Sequence, residues 1–280
     1  MSSEQTAFAE AVGALRPYLA PLVVVGGWAH RLYRLTPGAV APPFPPLMTD
    51  DADIATPHRV AIAHKSIGAL LGEAGFEEVL AGDEAPPVAY YVKKTDVLEL
   101  EIEFIANKTG SGVRRDGQRD VTTTVAGVVA QKLPYVDLLL VSPWVVTLDE
   151  TVGYPVPGGA AKVQIANPAS YVLQKLMVLD ARTASGKGGK DLLYVYDTLR
   201  LLSDSLGAIT ISWQALSSKL RKSELEHLRG VVHRHFTPTS DNVVSAAQMA
   251  RATGRPDPPS AALIAATCRA GFTALSSRAP

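Results

Sequence analysis

The chain has 280 residues, of which 47% are hydrophobic and 19% charged, enough apolar material for one large core or two modest ones. Its 27 basic and 27 acidic side chains give a formal net charge of zero, so overall charge gives no reason to expect nucleic acid or an acidic membrane as a partner. The single cysteine, Cys268, excludes an intrachain disulfide framework. The polar N-terminus lacks the features of a signal peptide and no window is apolar enough to span a bilayer, so we expect a cytoplasmic protein with no membrane partner.

The first part of the chain alternates between helical and strand-like patterns. Apolar spacing predicts helices over residues 4–18 and 58–75 and a helix that begins at Trp28, and five prolines predict a loop over 36–46. The predicted strands cover residues 22–25, 51–55, 76–80, 88–92, 97–105, 121–125, 144–148 and 161–165. This succession predicts an α/β domain with a mixed sheet over residues 1–165.

The pattern changes near residues 160–167, where a helical region begins. Asn167 followed by Pro168 is typical of an N-cap and a first helical residue. The predicted helices run from Pro168 through Leu179 and then cover residues 190–203, 212–232, 241–251 and 260–276, with a glycine-rich loop at 184–189 and an exposed linker at 253–259. We therefore expect residues 166–280 to form a C-terminal helical bundle.

Two acidic side chains, Asp51 and Asp53, alternate in the predicted strand Thr49-Asp50-Asp51-Ala52-Asp53-Ile54. Alternate side chains of a strand lie on one face, roughly 7 Å apart over two residues, so Asp51 and Asp53 are expected to face the same way and Asp50 the other. Burying such acids without a cation would be costly, and Mg²⁺ prefers hard oxygen ligands. By itself, the segment also fits a solvated acidic turn.

A third acid is expected from a second strand, in which Glu99, Glu101 and Glu103 alternate with apolar residues. The same pattern also fits an amphipathic strand with one solvated face. We favour Glu103 as the site residue because it stands near the end of the predicted strand, where a cleft would open, with Glu101 as the alternative on the same face. An acid from a neighbouring strand would complete a three-carboxylate cluster suited to Mg²⁺.

The pair Gly26-Gly27 lies between a predicted strand and a predicted helix. Glycines let the backbone turn tightly there and leave N–H groups free at a helix N-terminus, where a phosphate binds well. Such a pair is more often only a turn, and the third glycine of a dinucleotide-binding motif is missing. The Thr49 side chain is expected either to form a hydrogen bond to the phosphate end of a substrate or to cap the loop. The glycine-rich stretch at 185–190 is not a P-loop, because its glycines and lysines do not have the spacing of that motif.

Taken in order, these motifs resemble the polymerase-β-like nucleotidyltransferase superfamily: Val25-Gly26-Gly27, then Thr49–Ile54, then Ile102-Glu103-Phe104. The stretch 167–176, followed by Arg182 and Lys190-Asp191-Leu192, is similar to the helical half of the AbiEii-type and MenT-type toxin nucleotidyltransferases. The similarity covers roughly residues 20–200. It implies that Lys175 and Asp191 complete the site, as the lysine and the aspartate of that group do.

The resemblance implies transfer of a nucleoside monophosphate from an NTP to an acceptor hydroxyl. Asp51, Asp53 and Glu103 would hold Mg²⁺ or Mn²⁺. The triphosphate would be bound by Gly26, Gly27, Thr49 and Lys175. The acceptor would be tRNA or another RNA, and as a toxin the protein would have a cognate antitoxin as a partner.

Two other functions stay open at this point. The start Gly26-Gly27-Trp28-Ala29 also resembles nucleotidyltransferases that modify aminoglycoside-like alcohols, and an acidic acceptor pocket would favour such a substrate. A basic groove would favour RNA instead. The basic residues cluster at Arg114, Arg115 and Arg119, at 219–222, and at Arg229 and Arg234. The third interpretation is a non-catalytic nucleotide-binding module whose acids no longer hold metal.

Overall fold

The structure is a computed structural model that describes residues 2–40, 42, 44–47, 49–82, 86–95, 98–113, 117 and 119–277. The chain divides into two compact units. The first, called the sheet unit here, comprises Met1–Leu32 and Met48–Ala166, and the second, the helical unit, comprises Tyr33–Leu47 and Asn167–Pro280. A mixed sheet in the N-terminal part followed by a helical C-terminal region confirms the predicted fold class.

The elements of the sheet unit alternate along the chain. Its helices are α1 (Ser3–Ala14), α2 (Gly26–Leu32), α3 (Ile67–Glu73) and α4 (Val136–Leu139). Its strands are β1 (Val23–Val24), β2 (Asp51–Ala55), β3 (Glu77–Ala81), β4 (Val88–Thr95), β5 (Leu98–Asn107), β6 (Thr122–Val125), β7 (Val128–Leu133), β8 (Trp144–Leu148) and β9 (Ala161–Ile165). The helical unit contains α5 (Pro168–Ala184), α6 (Gly188–Leu201), α7 (Leu206–Ser217), α8 (Lys222–His235), α9 (Asp241–Ala252) and α10 (Ala261–Ser276).

The strands form one mixed sheet in the order β3-β4-β5-β2-β1-β9-β8. Strand β2 runs parallel to β5 and antiparallel to β1, and β4 runs antiparallel to β5 on its other side. The β6–β7 hairpin joins the sheet through a parallel pairing of β7 with the end of β5. The two strands predicted to carry the acids are therefore direct neighbours in the middle of the sheet.

Helix α1 buries an apolar face within the sheet unit. Phe8 and Val12 are almost fully buried, and the Phe8 ring stacks on Trp28 of α2 with centroids 4.0 Å apart. The helix was predicted to run to residue 18 but ends at Ala14, and a 3₁₀ turn at Arg16–Tyr18 follows. Pro17 lies in that turn, where its missing N–H removes no α-helical hydrogen bond.

The predicted helix over 58–75 is wrong in its first half. Only α3 is helical, and it begins after Ser66, whose side chain accepts the N–H of Ala69 (3.2 Å) as an N-cap. The preceding segment is held in another way, because the Tyr18 hydroxyl donates to the carbonyl of Lys65 (2.5 Å) and accepts the N–H of Ala63 (2.9 Å). A side chain from a distant turn thus decides the local conformation.

Helix α5 begins as the sequence predicts. The Asn167 side chain accepts the N–H of Ala169 (2.9 Å), and Pro168 takes the first helical position. The glycine-rich segment after α5 is shorter than predicted, since α6 already begins at Gly188. Gly188 and Gly189 lie against α9, and a Cβ at Gly189 would overlap the Ser245 side chain. These glycines permit close helix packing.

Two further predictions in the helical unit are corrected, and two elements of the sheet unit were missed. The expected helix over 212–232 is two helices, α7 and α8, because Glu224 accepts the Arg221 N–H (2.8 Å) and starts a new helix there. The expected exposed linker at 253–259 contains Arg255, which is buried in an ion pair with Asp197. Strand β7 and helix α4 were not predicted. None of the helices in the described ranges is long and apolar enough to cross a bilayer.

Candidate active site

The pairing of β2 with β5 places the predicted acids side by side on one face of the sheet. In the parallel register, Asp53 is opposite Glu103 and Asp51 is opposite Glu101. Directly paired residues of neighbouring strands share a face and are about 4.8 Å apart. Four carboxylates therefore form a two-by-two array, in which Glu103 and Glu101 both belong to the acidic face that the sequence predicted.

Asp53 also lies against the glycine turn at the start of α2. The Val25 N–H donates to the Asp53 carbonyl (2.9 Å), which ties the turn to β2. Gly26 has a positive φ of 60°, and a Cβ at that position would collide with Oδ2 of Asp53. Glycine is required here for both reasons, because other L-residues rarely adopt this φ and because the carboxylate occupies the space.

The other end of the array is held by the residues before β2. The buried Thr49 hydroxyl donates to Oδ1 of Asp51, and the Glu101 N–H donates to the Asp50 carbonyl (2.8 Å). Thr49 therefore contacts a predicted site acid directly. The pKa of Glu101 is raised, first by burial and then by the negative charges of Glu99, Asp51 and Asp50. Crowding of like charges on this face is the kind of environment that a bound cation relieves.

The donor set fits a hard divalent cation in its chemistry, since it consists of carboxylate oxygens on one face. Its side chains do not converge, however. Among the described residues, no three His, Cys, Asp or Glu side chains are arranged to hold a metal ion. The strand register supplies the neighbours, and the side chains of Asp51, Asp53 and Glu103 would have to turn toward a common point to bind one.

Lys175 and Asp191 are brought together inside the helical unit. The Lys175 ammonium donates to Oδ1 of Asp191 (2.6 Å), and Nε of Arg182 donates to Oδ2 (2.6 Å). The ammonium also lies 4.9 Å from the ring centroids of both Tyr171 and Tyr194. Burial opposes ionisation of Asp191, but the two cations outweigh it and hold the pKa of this carboxyl below its ordinary value. A buried, charged cluster results.

Arg182 is the member of this cluster for which no role was predicted. It follows Lys175 by two helical turns, so both lie on the same face of α5 and can bind one carboxylate from α6. The spacing of Lys175 and Arg182 could have indicated that both bind the same group. The sequence could not identify Asp191 as that group, because the contact joins two different helices.

The remaining candidates are dispersed. Lys222, the first residue of α8, and Arg221, the residue before it, are exposed and pair with Glu226 (3.9 Å) and Glu224 (2.7 Å), respectively. Arg234 pairs with Asp180 (2.6 Å) on α5. Arg114 and Arg115, two of the predicted basic residues, lie outside the described residues, as do some of their neighbours.

A family model described as "Nucleotidyltransferase" matches residues 3–215, well over half of the chain. The chain belongs to this nucleotidyltransferase family. The match includes the sheet positions of Asp51, Asp53 and Glu103 and the helical positions of Lys175 and Asp191.

Two solved structures resemble this family member at 16% sequence identity. One is an antigenic nucleotidyltransferase-like protein from Paracoccidioides brasiliensis, with a TM-score of 0.39 over 81% of this chain and 93% of that chain. The other is the antibiotic-resistance factor ANT(2'')-Ia, with a TM-score of 0.35 over 81% of this chain and 97% of that chain. With TM-scores below 0.5, neither adds to the assignment. Comparison with curated proteins gives no match.

Proposed function

We propose that the protein transfers a nucleoside monophosphate from an NTP to an acceptor hydroxyl and releases pyrophosphate. The observation that supports it most directly is the register of β2 and β5, which pairs Asp53 with Glu103 and Asp51 with Glu101 beside the Gly26 turn. Acids on one face next to a glycine turn suit a triphosphate and its cations. The family match gives the same reaction class.

In this proposal, Asp51, Asp53 and Glu103 hold Mg²⁺ or Mn²⁺, and Gly26 and Gly27 offer backbone N–H groups to the triphosphate. When bound, the cation lowers the pKa of the acceptor hydroxyl and neutralises charge on the phosphates. Thr49 orients Asp51 through its hydroxyl.

The transfer requires one bond to form and one to break. The acceptor oxygen bonds to the α-phosphorus while the bond from that phosphorus to the bridging β-phosphate oxygen breaks, and pyrophosphate leaves. The hydroxyl proton passes to Glu103, which is the acid paired directly with Asp53. Positioning and electrostatics supply most of the acceleration.

Lys175 is proposed to bind phosphate oxygens as a point charge. Its ammonium has three N–H donors and gives one to Asp191, which also accepts from Arg182. Asp191 and Arg182 are therefore positioning residues for Lys175. The two tyrosine rings beside the ammonium restrict it further.

The acceptor is proposed to be tRNA or another RNA, and the biological role that of an AbiEii-type or MenT-type toxin with a cognate antitoxin. Both rest on the resemblance of residues 167–176 and 190–192 to the helical half of those proteins. The fold itself is common to many nucleotidyltransferases.

The test incubates the purified protein with each labelled NTP, Mg²⁺ or Mn²⁺, and total tRNA. We expect label transfer with at least one NTP and a loss of roughly 100-fold or more in Asp53→Asn and Glu103→Gln, since ion-mediated stabilisation is worth several kcal/mol and each 1.36 kcal/mol is tenfold. Glu101→Gln should retain transfer, which distinguishes the two candidates for the third carboxylate.

The matched control is Asp204→Asn, which neutralises an acid in an exposed 3₁₀ turn of the helical unit. It should transfer label as the wild type does. No transfer with any NTP, or full transfer by Asp53→Ala, would overturn the proposal.

A second candidate acceptor is a cationic small molecule of the aminoglycoside type. Glu99 and Glu101 add negative charge to this face beyond the three proposed metal ligands, and the pKa of Glu101 is raised, first by burial and then by the charges of Glu99, Asp51 and Asp50. Such a face attracts a polycation. Adding an aminoglycoside to the same assay in place of tRNA separates the two substrates.

A further inference from the structure

Tyr90 on β4 lies in the same cross-strand row as the proposed catalytic acids. In the antiparallel pairing of β4 with β5, Tyr90 is opposite Glu103, which is in turn opposite Asp53 on β2. Directly paired residues share a face, so the Tyr90 ring stands on the acidic face, about one strand spacing from Glu103 and two from Asp53.

The side chain of Tyr90 is not explained by hydrogen bonds or ring contacts among the described residues. It is half-buried, and within the described residues its hydroxyl makes no hydrogen bond and its ring packs against no other aromatic ring. Its neighbour Tyr91 differs in each respect, because it points to the opposite face, is 2% exposed, donates to Glu78 (2.9 Å) and meets Phe104 edge-on. A partly exposed aromatic ring with neither kind of contact in the described part of the chain suits a ligand.

The order of residues in this row also places Tyr90 relative to the groups proposed to react. The order across the sheet is the Gly26 turn, Asp53, Glu103 and then Tyr90. The glycine turn is the proposed triphosphate end, and Glu103 is the proposed proton acceptor of the attacking hydroxyl. Tyr90 lies beyond Glu103 in this row, which is the acceptor side if Glu103 takes the proton of the attacking hydroxyl.

The chemistry of the row changes at Tyr90 from charged to apolar. Its partner on β3 is Val79, and Val88 precedes it by two residues on the same face. These side chains are half-buried and carry no charge. A flat, uncharged strip with an aromatic ring suits the face of a nucleobase better than a polyamine, whose charges need carboxylates.

We propose that Tyr90 is an acceptor-binding residue that stacks on the nucleobase next to the attacking hydroxyl, which makes the acceptor the terminal nucleotide of an RNA. This inference rests on the proposed nucleotidyl transfer. It assigns the ring, and not the phenolic hydroxyl, as the group that binds.

The test is a double-mutant cycle between Tyr90→Val and an acceptor RNA whose terminal nucleotide lacks its base. Valine keeps strand propensity and removes the ring. For intact RNA we expect kcat/KM to fall roughly 5- to 150-fold, as loss of one base–aromatic stack does, mainly through the acceptor KM. The KM for the NTP should stay unchanged. With the abasic RNA, wild type and Tyr90→Val should be equal.

Three further results decide the case. Tyr90→Phe should match the wild type, and Tyr91→Phe, on the opposite face, should lose stability but not acceptor affinity. Equal losses in Tyr90→Phe and Tyr90→Val, additive effects of the variant and the abasic RNA, or an unaffected RNA KM would overturn the role of Tyr90 alone. If Tyr90→Val does not fold, wild type using intact and abasic RNA equally well would overturn it. Absence of transfer by the wild type would overturn both proposals.

Discussion

At the scale of single residues, the acidic face is defined by charges that repel one another. Asp51, Asp53, Glu101 and Glu103 were predictable as members of one face, because alternation along a strand decides which way a side chain points. The pairing of Asp53 with Glu103, and not with Glu101, was not predictable, since the register depends on contacts between strands far apart in the chain.

The raised pKa of Glu101 gives a pH-dependent prediction. Burial and the charges of Glu99, Asp51 and Asp50 hold the folded-state pKa of Glu101 above its ordinary value, so ionised Glu101 destabilises the native state. This penalty is absent at pH below the unfolded pKa and appears as the pH rises through the folded one. Without divalent cation, Glu101→Gln should raise Tm by about 1–3 °C at neutral pH, allowing for solvent screening.

The measurement is thermal unfolding of both proteins from pH 3 to 8. The gain should disappear near pH 3, where the wild-type carboxyl is already protonated. Glu226→Gln, which neutralises an exposed acid of α8, is the matched control and should change Tm little. A gain that persists at pH 3 would contradict the charge explanation.

At the scale of elements, some strands of the sheet unit were easier to predict than the helices. The bounds of strands β2, β8 and β9 were predicted to the residue, because each is a short apolar alternation with clear ends. The helical unit depends on contacts between helices, which leave little trace in local sequence patterns. The break between α7 and α8 was missed because Leu216, Leu220 and Leu225 keep a roughly helical spacing through it. The N–H of Arg221 donates to the Glu224 carboxylate (2.8 Å), and this hydrogen bond marks the start of the new helix.

The packing of α6 on α9 predicts opposite effects for two glycine substitutions. A Cβ at Gly189 would overlap Ser245, so Gly189→Ala should destabilise the protein by about 1–3 kcal/mol. Gly207 in α7 has nothing within 4 Å of its would-be Cβ, so Gly207→Ala should stabilise by about 0.4–1 kcal/mol. Urea unfolding measures both, and a change of the same sign in the two variants would disprove the packing explanation.

At the scale of the whole molecule, the segment Tyr33–Leu47 belongs to the helical unit although it interrupts the sheet unit in the chain. The Val40 N–H donates to the Leu201 carbonyl (2.7 Å), and the guanidinium of Arg255 lies 4.2 Å from the Phe44 ring centroid. Arg255 forms a bidentate ion pair with Asp197 (2.7 and 2.6 Å). The prolines predicted a loop but not the unit it joins, because irregular backbone carries no periodicity that identifies a partner.

This attachment predicts a local response to the loss of Arg255. Arg255→Ala leaves the buried Asp197 without its bidentate partner and should cost about 3–5 kcal/mol. Hydrogen exchange should accelerate for residues 33–40, which include the bonded Val40 amide, while the amides of β2 and β5 keep their protection. Arg251→Ala, an exposed arginine of α9, should leave the exchange of 33–40 unchanged. Equal acceleration throughout the chain would contradict local attachment.

The collision between a Cβ at Gly26 and Asp53 has a consequence for handedness. The side chain of an L-residue at this position would collide with the carboxylate, and the residue would also disfavour the φ of 60° that the backbone has here. A D-alanine favours a positive φ and carries its methyl group in place of the other α-hydrogen. It would therefore fit the backbone conformation, and its methyl group would not point at Oδ2 of Asp53. The position thus selects against one mirror form of the α-carbon, and glycine is the only genetically encoded residue that has neither form.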